Sequence, residues 1–455
     1  MDRQDAHPAA DEKPVAPEKM ASGGLKPIAA LLAFIAAHPM GFWFIFWGEL
    51  AERSSFYGMR TILARYLEEV MGFSTQNASV VVQAFNATVY LLPILGGFIA
   101  DRYLGKYRAI VIFCVPYILG QLLMTQQDLT ALWIALLLLA MGSGITKPNI
   151  SPLMGMTYEQ QRPGRIALRS QAFSMFYLSI NIGATLSTFV LPVVRDHWGY
   201  AVAFLCPAVL MMAAFGLFAS GKPFYAVETI EYKAVSDEER RERWRVLRQL
   251  GGLFLLVALF WAMFDQSPST WTFFARDYMD LHLFGWEIAP DQLQFVNPFL
   301  ILVLLPAMSF FWQWLARRGV ALRPTDKMFI GFLLAIVSVA LLAVAGYLAG
   351  TGQKVTAWWE VWAYVFITLA EVCISPVGLE LAFSAAPPSL RSFVTACWLA
   401  VVFLGNVIDI PIVRLYDAQL KPGPYFGLMT LIMIPVTVAF LFVARRFNRT
   451  AASGA

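Results

Sequence analysis

The residues of this chain that could do chemistry are charged side chains inside long apolar stretches. Glu49, Glu52, Arg53 and Arg60 fall within residues 41–66, an otherwise apolar run. A charge at the centre of a membrane helix costs about 2.5–3.5 kcal/mol on insertion scales, so four would cost roughly 10–14 kcal/mol. Each apolar residue returns only about 0.3–0.6 kcal/mol. Such a helix cannot turn these charges to lipid; they must neutralise one another or face a wet cavity. At about 100° per residue, Glu49, Glu52, Arg53, Phe56, Tyr57 and Arg60 share an arc of about 140°. Glu49 and Arg53 have the i,i+4 spacing of a helical ion pair. A pair that only locks helices together is one reading. The other, adopted here, is a proton and substrate site, because ionisable groups at membrane depth mark such pathways.

Further charges lie in other apolar runs. Lys147 sits in GSGITKPNISP, where Pro148 and Pro152 are expected to interrupt helical hydrogen bonding. Asp265 sits in FWAMFDQSPSTW, and Glu371 and Glu380 lie further along the chain. Asp409 falls near the outer end of its run and reads as interfacial. The pattern is that of groups that hold a proton or a dipolar solute. No HExxH, GxSxG, P-loop or GxGxxG stands beside them. Cys114, Cys206, Cys373 and Cys397 are far apart in apolar runs and read as buried thiols. No cofactor or metal is expected, and no role is assigned to the four histidines.

The elements that must position these groups follow from composition. Of the 455 residues, 58% are apolar and 14% charged. Soluble domains carry about 45–50% and about 25%. The mean hydropathy is +0.61. A soluble enzyme and a nucleic-acid binder are excluded, since so much apolar surface cannot be hidden in a soluble globule. A spanning helix needs about 20 mostly apolar residues. Twelve segments qualify: 41–66, 78–100, 106–126, 130–157, 168–193, 199–219, 249–275, 293–316, 326–350, 356–386, 392–415 and 423–445.

The expected organisation is a disordered tail with a short apolar run (1–37), a six-helix half (38–220), a linker helix (221–248), a second six-helix half (249–446) and a short tail (447–455). Ser236 and Glu239 have capping-box spacing and mark the start of the linker helix. With the N-terminus inside, 25 of the 34 Lys and Arg fall in inner segments and six in outer loops. Cytoplasmic loops carry such an excess, so both termini are expected in the cytoplasm.

Several motifs now resemble one family. The loop after the second span, GGFIADRYLGKYR, resembles the signature loop of the major facilitator superfamily. Glu49-x-x-Glu52-Arg53 followed by SSFYGMR resembles the ExxERFxYYG motif of the proton-dependent oligopeptide transporter family. FSMFYLSINIGATLS (173–187) resembles its FYxxINxG signature. GITKPNIS, FWAMFDQ and EVCISPVGLELAFSAAPPSLRSFVTACW match in order, so the resemblance covers roughly residues 38–445. Ser54 and Phe56 depart from the first motif. Gln83 stands where animal members place a histidine. The linker has no room for the two extra helices of many bacterial members, and the large outer domain of animal members is absent.

The resemblance implies an all-α membrane protein of major facilitator fold, with 12 transmembrane helices in two six-helix halves. It implies a proton-coupled symporter that imports di- and tripeptides by alternating access. Arg53, Arg60 and Lys147 would hold the peptide carboxylate. Asn181, Asn297 and Glu371 would accept from its amino terminus. Tyr57, Tyr90, Trp261 and Trp398 would form adaptable walls. Glu49 or Glu52, beside Arg53, would carry the proton, and Arg60 would pair with Asp265 as an outer gate. Its partners would be peptides, protons and the bilayer of a bacterial inner membrane, where it would act as a monomer without nucleic acid. The competing readings are a proton-coupled carrier of nitrate or an amino-acid derivative, and a membrane receptor for peptides.

Overall fold

The computed structural model of the protein describes residues 26–228, 236–385 and 390–453. The tail expected to be disordered lies, through residue 25, outside the described residues. Up to His38 the chain is a compact unit of its own, in which helix α1 (Lys26–Ala37) is described. Twelve residues rise only about 18 Å, short of the roughly 30 Å of a bilayer core.

From Pro39 onward a second unit holds the spans. Its first half contains α2 (Met40–Glu69), α3 (Thr75–Ile99), α4 (Lys106–Met124), α5 (Leu129–Gln161) and α6 (Ile166–Ser220). The starts of α3 and α5 are chemically marked. Ser74 accepts from the Asn77 amide at 3.3 Å, and Asp128 accepts from the Ala131 amide at 2.9 Å. These side chains satisfy donors that a helix start leaves orphaned. The 55 residues of α6 would rise about 80 Å, far more than one crossing needs. The helix bends at Gly199, whose φ of 81° is open to glycine. It therefore supplies two spans, as expected.

The second half contains α7 (Asp237–Phe264), α8 (Thr272–Tyr278), α9 (Val296–Arg317), α10 (Pro324–Ala349), α11 (Trp358–Ala385), α12 (Arg391–Val413) and α13 (Pro422–Ser453). Between α8 and α9 the chain forms β1 (Met279–Asp280), β2 (His282–Leu283) and β3 (Trp286–Glu287), and β1 pairs with β4 (Val355–Thr356). These short strands were not legible in the sequence.

Ten helices among the described residues are long and apolar enough to cross a membrane. One is the bent α6, which counts twice. The charges of α2 keep it below that apolar threshold, yet its thirty residues pack along α6. Counted so, the spans number the expected twelve. Large apolar residues such as Phe310, Leu431 and Phe442 remain exposed on the helix bundle, as lipid-facing side chains would.

Three expectations need adjustment. The linker helix and the seventh span are one continuous helix, capped where Ser236 accepts from the Glu239 amide at 3.1 Å. No break occurs at residues 248–249, because the apolar face simply takes over from the charged one. The interruption comes later, as a wide turn at Ser267–Trp271 before α8. The expected C-terminal tail is helical through residue 453. Pro148 and Pro152 do not break α5; Asn149 Nδ2 instead donates to the Ile145 carbonyl at 2.7 Å.

Contact between the halves runs through α3 on α12 and α6 on α9. Within the first half, α2 and α6 approach closely at Gly183. A Cβ there would lie 2.7 Å from the Leu50 carbonyl oxygen, so only glycine fits. This contact brings the SINIG segment against the charged turn of α2.

Candidate functional site

A cavity of about 520 Å³ opens between the halves. That lies within the usual range of small-molecule sites, about 300–1,000 Å³. Twelve of the thirteen residues singled out from the sequence line it; Glu52 lies behind Arg53. Glu380 is exposed and takes no part.

The charged turn of α2 is a buried triad. Arg53 Nε lies 2.7 Å from Glu49 Oε1 and 2.7 Å from Glu52 Oε2. All three side chains are at most 2% exposed. Both carboxylates thus share one nitrogen, and the two terminal guanidinium nitrogens have no hydrogen-bond partner. A planar guanidinium with both terminal nitrogens unspent is suited to a carboxylate. Lys147 stands nearby on α5, with its Nζ 4.6 Å from the centre of the Tyr90 ring. Among the described residues it makes no ion pair.

The second half contributes the acceptors. Asn297 Nδ2 donates to Glu371 Oε2 at 2.9 Å and to Thr368 Oγ1 at 3.0 Å. Asn181, on α6 of the first half, adds one more: its Nδ2 is spent on the Tyr177 carbonyl at 3.0 Å, which leaves its amide oxygen for a ligand. Trp261 and Trp398 form apolar wall. The Trp398 ring fits only because residue 378 is glycine; a Cβ there would collide with it. Tyr57 and Tyr90 face the cavity from the first half.

At one end the cavity is sealed. Arg60 Nη2 meets Asp265 Oδ1 at 2.8 Å, and the other Asp265 oxygen accepts from Asn406 Nδ2 at 2.8 Å. Gln83 Nε2 donates to the Asp265 backbone carbonyl at 2.8 Å. Beyond this pair lie Arg65–Asp291 at 3.3 Å, Arg195–Asp291 and Arg276–Glu68. Among the described residues, the hydrogen bonds and ion pairs that join the halves lie at this end, where α2 finishes and α3 begins. The cavity is closed there by charge.

Sequence reasoning missed or misplaced several groups in and beside the site. Asp409 is not interfacial: it is fully buried, and Gln266 Nε2 donates to it at 2.9 Å. Packing of α3 and α7 against α12 covers a position that looked like a span end. Asn406 was passed over although an Asn inside a span is itself a polar signal. Tyr177 and Tyr364 also line the cavity. Nothing in composition separates them from core tyrosines, although Tyr177 stands one turn before Asn181.

The sequence model of the POT family matches residues 107–238 and 227–429. The chain belongs to the POT family. It is 32% identical over 357 residues to "Peptide transporter family 1" of Drosophila melanogaster, covering 67% of this chain and 47% of that protein. It is 29% identical over 423 residues to "Dipeptide and tripeptide permease B" of Aliivibrio fischeri (strain MJ11), covering 80% of this chain and 83% of that one. The chain thus spans about half the length of the animal relatives it matches. The crystal structure of a mutant peptide transporter POT in complex with alafosfalin superposes with a TM-score of 0.82 at 25% identity, covering 90% of this chain and 96% of that one. This POT family chain therefore has the major facilitator fold, a polytopic membrane architecture.

Proposed function

We propose that the chain is a proton-coupled symporter of di- and tripeptides that works by alternating access. The observation that carries this is the polarity of the cavity. Arg53 offers two unspent donor nitrogens, beside Lys147, in the first half; Asn297 and Glu371 offer acceptors in the second. A zwitterion with variable side chains would bridge the halves, and the aromatic walls would tolerate what lies between its ends.

Charge balance supplies the coupling. Without substrate, Glu49 and Glu52 balance Arg53 and Lys147. A peptide carboxylate at Arg53 leaves one negative charge in excess in a low-dielectric site. A proton on Glu49 or Glu52 restores neutrality, so peptide and proton favour each other. The charged seal at Arg60–Asp265 would serve as the outer gate. This makes the closed end the outer end, in keeping with cytoplasmic termini and the basic inner loops.

The site is complete within one chain, which supports action as a monomer. Coverage of most of a bacterial permease supports a bacterial inner membrane. The chemistry is binding and release; peptide bonds are left intact, and no nucleic acid is involved. The test is uptake of radiolabelled dialanine into proteoliposomes with an imposed inward proton gradient. Accumulation above equilibrium supports the reading. Equal uptake with the gradient collapsed by an ionophore overturns it.

A further inference from the structure

Asp409 on α12 belongs to no part of that mechanism. It is fully buried, and its Oδ2 has no hydrogen-bond partner. The other oxygen accepts from Gln266 Nε2 at 2.9 Å, and Gln266 Oε1 accepts in turn from the Tyr425 hydroxyl at 2.9 Å. Among the described residues no cation pairs with it.

The groups facing it are few. From the end of α7 comes Asp265, whose charge is already matched by Arg60. From α13 comes Tyr425, whose hydroxyl is spent on Gln266. On α12 itself Asn406 donates to Asp265, and Arg414 is exposed. From α3 comes Gln83, spent on the Asp265 carbonyl and Ser269. From α11 the acidic group Glu371 is bound to Asn297. An ionised Asp409 would thus be a second buried carboxylate beside Asp265, with one neutral donor and no counter-ion. Isolated buried charges are avoided by neutralisation. The neutral acid can instead return its O–H to a helix carbonyl one turn back, as Thr430 does to Phe426 in α13.

We propose that Asp409 is a proton-binding site separate from the α2 triad, occupied while the Arg60–Asp265 end is closed. This rests on the alternating-access reading. When that end opens, water reaches the carboxyl and the proton leaves Oδ2 to the solution on the same side. Before closure a proton must return from that solution to the same oxygen. No proton crosses the membrane by this route. The closed form simply holds one proton more than the open form. Closure is therefore favoured by acid on that side, by up to about ten-fold per pH unit above the ordinary carboxyl range.

The experiment reads closure directly and needs no substrate, so its outcome is independent of peptide transport. Spin labels are placed at Asn77→Cys and Ala418→Cys, exposed positions on either side of the bond from Gln76 Nε2 to the Tyr416 carbonyl. The native cysteines are replaced by alanine. Distance distributions of the full chain are measured by pulsed electron spin resonance between about pH 5 and 8. The short-distance population should grow as pH falls. Asp409→Asn mimics the neutral acid, and should stay closed across the range with a flatter pH response. A flat wild-type response, or a pH response unchanged in Asp409→Asn, overturns the proposal. If Asp409→Asn fails to fold, a flat wild-type response still overturns the proposal, and Asp409→Ser, which also removes the carboxyl, carries the second arm: a pH response unchanged in it overturns the proposal as well.

Discussion

Arg60 and Asp265 belong to opposite halves of the molecule and meet at 2.8 Å, with side chains 11% and 3% exposed. Two observations make this more than a local contact. The second Asp265 oxygen is held by Asn406, and its backbone carbonyl by Gln83. Asp265 is thus held from two helices, α12 at its carboxylate and α3 at its backbone, before Arg60 reaches it. Breaking a buried pair by removing one partner costs about 3–5 kcal/mol, much of it from the charge left behind.

If the pair acts as a gate, Asp265→Asn and Arg60→Gln each impair uptake, and the double variant is better than the sum of the two losses. A double-mutant cycle on dipeptide uptake should give a coupling of about 0.5–3 kcal/mol. Strictly additive losses would show that the pair does not operate as a unit.

Glu52 shares a single guanidinium nitrogen with Glu49 and lies behind Arg53, away from the cavity wall. Its replacement should disturb the proton more than the peptide. Glu52→Gln is expected to abolish gradient-driven accumulation while leaving counterflow of labelled for unlabelled peptide partly intact. Full accumulation by the variant would assign the proton elsewhere.

Glu371 accepts from the Asn297 amide, which is itself held in place by donating to Thr368 Oγ1. Losing a buried charge partner typically costs about 2–5 kcal/mol of binding. Glu371→Gln should therefore weaken competition by dialanine by at least about 30-fold. N-acetylated dialanine, which lacks the cationic end, should already be a poor competitor against the wild type. Equal competition by the two peptides would contradict an amino-terminal site.

At Gly183 the requirement is steric. The Leu50 carbonyl would lie 2.7 Å from a Cβ, and a backbone group cannot yield as a side chain can. Gly183→Val should cost about 1–3 kcal/mol as an overpacked contact. It should lower the thermal midpoint in detergent and shift the α2 triad, reducing uptake beyond the loss of folded protein. An unchanged midpoint would mean that α6 can retreat freely.

Much of this site was legible because its charges are expensive where they stand. Glu49, Arg53, Lys147, Asp265 and Glu371 each violate the apolar rule of a span, and each was found on the cavity. Residues that obey the rule were not legible. Tyr364 reads as core, and Asn406 is a lone amide in a run of valine and leucine. Asp409 was misplaced because depth along a helix is readable from sequence, whereas lateral cover by α3 and α7 is not. The spans were legible from length and hydropathy alone. The merger of linker and α7 was hidden because a change from charged to apolar character looks like a boundary whether or not the backbone bends.

That merger, together with the way the linker begins, sets the length of the tether between the halves. Glu228 accepts from the Lys106 and Tyr107 amides at 2.8 and 3.2 Å, and Gln160 exchanges two hydrogen bonds with Val227. The chain up to Glu228 is thereby stitched to the first half, and from Asp237 onward it is rigid helix of the second. Nine peptide links remain between them, a leash of at most about 32 Å. However the halves move, these two anchor points cannot separate beyond it. Lengthening this segment relaxes that limit, whereas shortening it lowers the ceiling on how far the two halves can part at this end of the bundle.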